Sequence, residues 1–420
     1  MKYGCIGEHL KHSFSKEIHS LIGDYEYELF EIPQGEIDEF LKKRDFLGIN
    51  VTIPYKETVI PYLYEIDPIA KEIGAVNTIV NKGGLLFGYN TDFYGMKSQI
   101  LHAGIDISGK RVYILGTGGT SKTAMAVAKH LGACEIIRVS RTKSEAAISY
   151  EDMYEAHATV DIIINTTPVG MYPNNYKKAV DITKFENLSG VVDVVYNPLT
   201  TALVADAKKT GIPAVCGLYM LVGQAIRASE IFMDTKYKSE LYARIFEAIK
   251  SRRQNIVLTG MPASGKSTVG ALIARSLNRE FFDTDSLIEE REKMSIPDIF
   301  TLRGEEYFRE VERRVIAEIS KTTGAVISTG GGAILSPANV SALRANGRIY
   351  FIDRPKEKLI PSSNRPLAND KEKILLRYSE RYGIYLSTSD MRIDADKEPS
   401  LVAKDIMEDF ENENIRNQRT

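Results

Sequence analysis

Residues 260–268 read GMPASGKST, which satisfies Gly-x-x-x-x-Gly-Lys-Ser/Thr with Gly260, Gly265, Lys266 and Ser267 at the required places. The apolar run Ile256-Val257-Leu258 precedes the motif, and a helical pattern from Val269 to Leu277 follows it. Strand, glycine loop and helix in that order predict a parallel α/β sheet whose loop aims backbone N–H groups and a helix N-terminus at phosphates. Gly260, Ala263, Ser264, Gly265, Lys266, Ser267 and Thr268 are therefore the expected ATP contacts, with Lys266 on the transferable phosphate and the Ser267 hydroxyl on Mg²⁺. The motif begins at residue 260 of 420, so a further protein's worth of chain precedes it.

That preceding stretch carries a second, different glycine loop. Arg111 to Leu115 reads as a strand, Gly116 to Ser121 spells GTGGTS, and Lys122 to Leu131 has helical spacing. This is the pattern of a dinucleotide-binding turn, with Gly116, Gly118, Gly119 and Thr120 at the phosphates and small Ser121 at the third glycine position. The next strand, Glu135 to Val139, ends in Ser140-Arg141-Thr142-Lys143. Cations there suit a ribose 2′-phosphate, where an acidic residue would suit a bare hydroxyl, so NADP(H) is expected in preference to NAD(H).

Composition narrows the class. With 26% charged and 43% hydrophobic residues the chain is of the soluble globular kind, and a net charge of −2 gives no electrostatic case for nucleic acid or anionic membrane. Cys5, Cys134 and Cys216 are far apart and odd in number, which argues against a disulfide framework or a zinc site and points to the reducing cytoplasm. The start lacks the apolar core of a signal peptide, and no run approaches the ~20 apolar residues of a membrane span. The stretch 411–420 reads as a disordered tail.

Before residue 100, short apolar pieces end in polar residues: Tyr3 to Ile6, then His12-Ser13-Phe14-Ser15; GINVTIPYK, Gly48 to Lys56; AVNT, Ala75 to Thr78; and GYNTD, Gly88 to Asp92. Loops at strand ends line pockets, and Asn, Thr, Ser, Lys and Asp suit a polyol. Taken in order, these pieces resemble shikimate dehydrogenase over residues 1 to about 245. The resemblance implies that Ser13, Ser15, Thr52, Asn77 and Asp92 bind shikimate, with Lys56 and Asp92 as the catalytic pair. It places Asn165 and Thr166, in the loop running to Met171, beside the nicotinamide, with Gly217 nearby, and it makes Tyr196 and Gln224 substrate ligands. The chemistry agrees, since a ketone reduced by hydride needs a proton donor and a lysine ammonium beside a carboxylate supplies one. His9 and Lys16 depart from prolines frequent in that family.

After the phosphate loop come FFDTD (Phe281 to Asp285), GEEYFREVE (Gly304 to Glu312) and VISTGGG (Val326 to Gly332). Two residues apart on a strand face one side, so Asp283 and Asp285 are expected to project together from a strand end. The second half resembles shikimate kinase over residues 255 to about 410. That implies Asp283 for Mg²⁺, Asp285 for shikimate and its 3-hydroxyl proton, Arg309 and Arg381 for the carboxylate, Gly330, Gly331 and Gly332 behind the substrate, and Arg365 toward ATP. The stretch from Arg354 to Arg365 is short for that family's lid.

The expected fold class is α/β throughout. A substrate domain of residues 1–98 and 216–250 encloses a Rossmann NADP-binding domain, 99–215; residues 251–254 form a linker, and a P-loop domain follows at 255–410. The implied function is bifunctional: NADPH-dependent reduction of 3-dehydroshikimate to shikimate, then phosphorylation of shikimate by ATP.

Overall fold

A computed structural model describes residues 2–8, 10, 14–359 and 371–416. Two compact units emerge, Met1–Asn197 with Thr201–Phe246, and Glu247–Thr420 with Pro198–Thr200.

The first unit opens with β1 (Tyr3–Gly7), α1 (Ser15–Ile22), β2 (Tyr27–Glu31), α2 (Ile37–Lys43), β3 (Gly48–Val51), β4 (Glu65–Ile66), α3 (Pro68–Ile73), β5 (Thr78–Lys82), β6 (Leu85–Tyr89) and α4 (Thr91–His102). Its sheet runs β2-β1-β3-β5-β6-β4, parallel at β2-β1-β3 and antiparallel at β3-β5-β6. Then come β7 (Arg111–Leu115), α5 (Gly119–His130), β8 (Glu135–Ser140), β9 (Ile148–Ser149), α6 (Tyr150–Glu155), β10 (Ile162–Asn165), β11 (Gly190–Asp193), α7 (Ala202–Lys209), β12 (Ala214–Val215), α8 (Leu218–Phe232) and α9 (Glu240–Arg253). The second sheet, β12-β11-β10-β7-β8-β9, is parallel. Its central strands β7, β10 and β11 are near-continuous buried runs of Val, Ile and Leu, as helices on both faces require.

Helix α8 packs back on α4. The helices come so close that a Cβ on Gly95 would lie 2.4 Å from the Met220 carbonyl oxygen. The expected boundary at residue 98 falls inside α4, which runs to His102.

The second unit has β13 (Asn255–Thr259), α10 (Lys266–Leu277), β14 (Phe281–Asp283), α11 (Thr284–Glu292), α12 (Ile296–Ile319, broken at Gly304), β15 (Val326–Ser328), α13 (Pro337–Asn346), β16 (Gly347–Asp353), α14 (Lys371–Thr388), β17 (Met391–Asp394) and α15 (Pro399–Arg416). Its five-stranded parallel sheet has the order β14-β15-β13-β16-β17, with the phosphate loop leaving central β13. Ligands of such sheets bind at the carboxyl ends of the strands.

Three expectations need correction. The linker 251–254 is helical up to Arg253, because Ser251, Arg252 and Arg253 continue α9 with no Gly or Pro to stop it. Much of the tail expected to be disordered, up to Arg416, belongs to α15, and residues 417–420 lie outside the described residues. Asp283 and Asp285 do not share a strand: β14 ends at Asp283, and Asp285 sits in the first turn of α11.

Candidate functional site

Chemistry-bearing residues gather at two places, one in each unit. In the first unit a cavity of about 570 Å³ opens at the ends of β1, β3 and the start of α4. Ser15, Thr52, Lys56, Asn77, Asp92, Tyr196 and Gln224 all line it, joined by Thr120 and Gly217. The first seven come from six separate segments, and Ser13 lies outside the described residues.

Lys56 and Asp92 form the cavity's ion pair, Nζ to Oδ2 at 2.6 Å, with about a fifth of each side chain exposed (24% and 14%). Asp92 is placed by the start of α4, where the Asn90 side chain caps the helix by accepting from the Phe93 N–H. Asn77 is oriented by the same turn, its Oδ1 accepting from the Thr91 N–H at 2.6 Å. That leaves its NH₂ as the group available to a ligand oxygen. Gln224 is held through its own amide, donating to the Leu221 carbonyl at 3.0 Å. Tyr196 stands edge-on to Phe14, 5.3 Å between ring centres, and burial pushes its hydroxyl pKa up.

Sequence reasoning missed Cys5, Glu31 and Asn50 on the cavity wall. Asn50 stands two residues before Thr52, and that spacing was its available signal. It accepts from the Tyr27 hydroxyl at 2.7 Å and donates to Thr78 Oγ1 at 3.0 Å, a buried chain beneath the cavity. Burial pushes the Cys5 thiol up to about 12, which makes it an inert wall.

The nucleotide turn fits a dinucleotide. Gly118 and Gly119 start α5 with open space where a Cβ would stand, and Ser121 is fully buried, donating to the Gly118 carbonyl at 2.7 Å. Gly116 lies so near Thr166 that a Cβ would come within 2.9 Å of its Oγ1. Ser140 ties its loop by donating to the Thr142 carbonyl, and Arg141 is exposed beyond the end of β8. Asn165 and Thr166 are engaged below the loop they were expected to present: Asn165 Nδ2 donates to Asp193 at 3.0 Å, and Thr166 donates to the Leu115 carbonyl at 2.7 Å.

In the second unit, Lys266, Ser267, Asp283, Asp285, Arg309, Gly330, Gly331, Gly332 and Arg381 surround one pocket. Lys266 is nearly buried at 6% exposure and donates to the carbonyls of Gly260 (2.9 Å) and Met261 (2.8 Å), folded over its own loop. Ala263 and Gly265 both take left-handed backbone, and Ser264 is buried beneath the loop. Thr268 is exposed in the first turn of α10. Ser267 Oγ donates to Asp283 Oδ2 at 2.6 Å. One hydroxyl beside one carboxylate at a phosphate loop suits Mg²⁺, which takes few protein ligands and keeps water and phosphate oxygens. Arg365 lies outside the described residues.

Asp283 does a second job as the cap of α11, with Oδ1 accepting from the Asp285 and Ser286 N–H groups, and this turn rather than a strand face brings Asp285 to the pocket. The three glycines meet three different neighbours. A Cβ at Gly330 would come 2.6 Å from Asp285, at Gly331 2.7 Å from the Pro262 ring, and at Gly332 2.4 Å from the Arg309 guanidinium. Glu312, named in no role by sequence reasoning, sits at i+3 from Arg309 and accepts from it at 2.9 Å. Burial raises the Glu312 pKa against the pull of Arg309. Burial also works against the Arg309 charge, but Glu312 and Glu305 more than offset it and hold the guanidinium above its usual range.

A family model described as shikimate dehydrogenase substrate binding domain matches residues 5–79, and one described as shikimate kinase matches residues 262–411. A shikimate dehydrogenase (NADP(+)) of Clostridium perfringens is 39% identical over 268 residues, covering 60% of this chain and 98% of that protein. One from Methanosphaera stadtmanae is 36% identical, covering 54% and 90%. Among solved structures, shikimate dehydrogenase 1 of Peptoclostridium difficile superposes with a TM-score of 0.54 at 39% identity, covering 59% of this chain and 97% of that one. A chorismate mutase/shikimate 5-dehydrogenase fusion protein of Clostridium acetobutylicum gives 0.56 at 37%, covering 59% and 96%. With its ion-paired cavity and dinucleotide turn in one unit and its phosphate loop in the other, the chain belongs to the shikimate dehydrogenase family and continues into a shikimate kinase domain.

Proposed function

We propose that the chain is a bifunctional enzyme that reduces 3-dehydroshikimate to shikimate in its first unit and phosphorylates shikimate at the 3-hydroxyl in its second. The observation that carries this reading is that one chain matches two families named for the same metabolite, with candidate site residues gathered at a pocket in each unit. NADPH supplies the hydride of the first step, and MgATP the phosphoryl group of the second.

In the first site Lys56 Nζ donates the proton that the nascent alkoxide needs, and Asp92 keeps that ammonium in place. Ser15, Thr52, Asn77, Tyr196 and Gln224, with Ser13, hold the substrate's hydroxyls and carboxylate. Thr120, Gly116, Gly118, Gly119 and Gly217 border the cofactor, and Arg141 pairs with its 2′-phosphate. In the second site Asp285 takes the proton of the attacking hydroxyl, and Arg309 and Arg381 hold the substrate carboxylate. Lys266 and the loop N–H groups hold the phosphates, Ser267 and Asp283 hold Mg²⁺, and Arg365 adds charge toward ATP. Free cysteines and the demand for NADPH and ATP favour the cytoplasm as the place of action.

The purified full-length chain tests this directly. It should oxidise NADPH with 3-dehydroshikimate and, in a separate assay, form shikimate 3-phosphate from shikimate and ATP. Failure of either activity in folded protein refutes that half of the reading.

A further inference from the structure

The tri-glycine loop after β15 is held by Thr284 and Tyr385, which do not themselves line the pocket, together with Arg381, which does. Thr284 stands between the two aspartates, fully buried, and its Oγ1 accepts from the Gly330 N–H at 2.8 Å. From the other side the fully buried Tyr385 donates its hydroxyl to the Gly331 carbonyl at 2.5 Å, and Arg381 Nη1 donates to the same oxygen at 3.2 Å. Arg381 and Tyr385 are four apart on α14 and so share a face. The Tyr385 ring is stacked on Phe351 of β16, 4.9 Å between centres and 7° from parallel, which fixes the hydroxyl from behind.

Without such anchors three consecutive glycines would sample many backbone states. The Gly331 carbonyl and the Gly332 N–H belong to one planar trans peptide, so holding the oxygen also fixes the direction of the N–H. Among the described residues no backbone acceptor is seen for the N–H of Gly331 or Gly332, and both residues line the pocket. The loop's contact surfaces with Asp285 and Arg309 depend on the same placement.

We propose that Thr284 and Tyr385 are positioning residues of the second site: gripping the Gly330 N–H and the Gly331 carbonyl, they set the loop that receives the phosphoryl acceptor and leave the grip on ATP alone. This rests on the kinase reading above. Tyr385→Phe removes one oxygen and keeps the stacked ring, so it is the variant least able to disturb the fold. Thr284→Val removes the acceptor, and Thr284→Ser restores it.

Steady-state kinetics of the full chain with shikimate and ATP varied in turn decide the matter. Each of Tyr385→Phe and Thr284→Val should raise KM for shikimate about five- to tenfold, the scale of one lost hydrogen bond, with KM for ATP unchanged. Thr284→Ser should return to within about twofold of the parent. An unchanged shikimate KM in both variants overturns the proposal. So does a parallel rise in both KM values, which would mark general loosening. A parent chain that phosphorylates no shikimate would instead refute the kinase reading itself.

Discussion

Lys56 Nζ meets Asp92 Oδ2 at 2.6 Å, joining the loop after β3 to the first turn of α4 inside the cavity of the first unit. If that ammonium is the proton donor, Lys56→Ala lowers the reductase kcat by roughly 10²–10⁴ and disturbs substrate affinity much less. Kinase turnover of the same molecule serves as the internal control and stays at the parent level. A reductase kcat within a few-fold of the parent would remove Lys56 from the chemistry.

Arg141 is exposed just beyond β8, where a 2′-phosphate is expected. Arg141→Asp should cut kcat/KM for NADPH by roughly one to two orders of magnitude and improve the relative use of NADH, because a carboxylate repels phosphate and accepts from a bare ribose hydroxyl. Comparing both cofactors at saturating 3-dehydroshikimate checks this. An unaltered ratio assigns cofactor choice elsewhere.

Asp285 and Lys266 line one pocket, and the proposed kinase reaction gives them different partners. Asp285→Asn is expected to reduce kinase turnover by roughly 10²–10⁴ while nucleotide binding, measured by calorimetry, stays near the parent value. Lys266→Met should weaken nucleotide binding and turnover together. Equal loss of nucleotide affinity in the two variants would move Asp285 to the metal.

His19 links stability to pH. It is fully buried against the Tyr27 ring (3.8 Å between centres), with Tyr25 hydrogen-bonded at Nδ1 and Phe232 beyond. Burial lowers its pKa from 6.5 to about 3, against a raising contribution from Asn50. The unfolded chain therefore binds this proton more tightly, and the stability tied to neutral His19 is whole above pH 6.5 and drains away as pH falls toward 3. The limit is roughly 5 kcal/mol, at 1.36 kcal/mol per unit. Asp193, raised by burial to about 6, acts in the opposite sense, favouring the fold below its unfolded pKa and losing that contribution as pH rises through 6. Denaturant melts of the first unit's near-ultraviolet signal between pH 4 and 7 should show His19→Phe with a flatter acid limb than the parent. An equally steep limb would show that other groups govern acid unfolding.

The two glycine loops were legible because each is contiguous: a fixed spacing, a strand before and a helix after. The cavity residues come from six segments, and only the resemblance to a known family collected them. The local argument for Asp283 and Asp285 failed because a carboxylate that ends a strand also caps a helix. Asp283 accepted the N–H groups of α11, and the strand ended two residues short of Asp285. Glu312 stood inside a quoted motif, yet its place follows from contacts with Arg309 and Gly330 that no spacing rule supplies. The end of α9 was misread for a similar reason, since what stops it is distant in sequence.

That stop is Arg279, whose guanidinium donates to the carbonyls of Ser251 at 2.7 Å and Gln254 at 2.8 Å, while Gly324 donates its N–H to the Arg253 carbonyl at 2.8 Å. A cation suits the negative end of a helix, and here Arg279 and the Gly324 N–H satisfy the carbonyls of Ser251 and Arg253. Where one gene is to be divided into two, the seam is thus upstream of where the letters suggest. A kinase begun at Asn255 would strand the half-buried Arg279 without its acceptors and should be poorly soluble, whereas one begun at Glu247 keeps the last turn of α9 and should retain the parent's phosphorylation rate. Equal yield and rate from the two starting points would show that the turn is dispensable and that the fused genes can part anywhere along it.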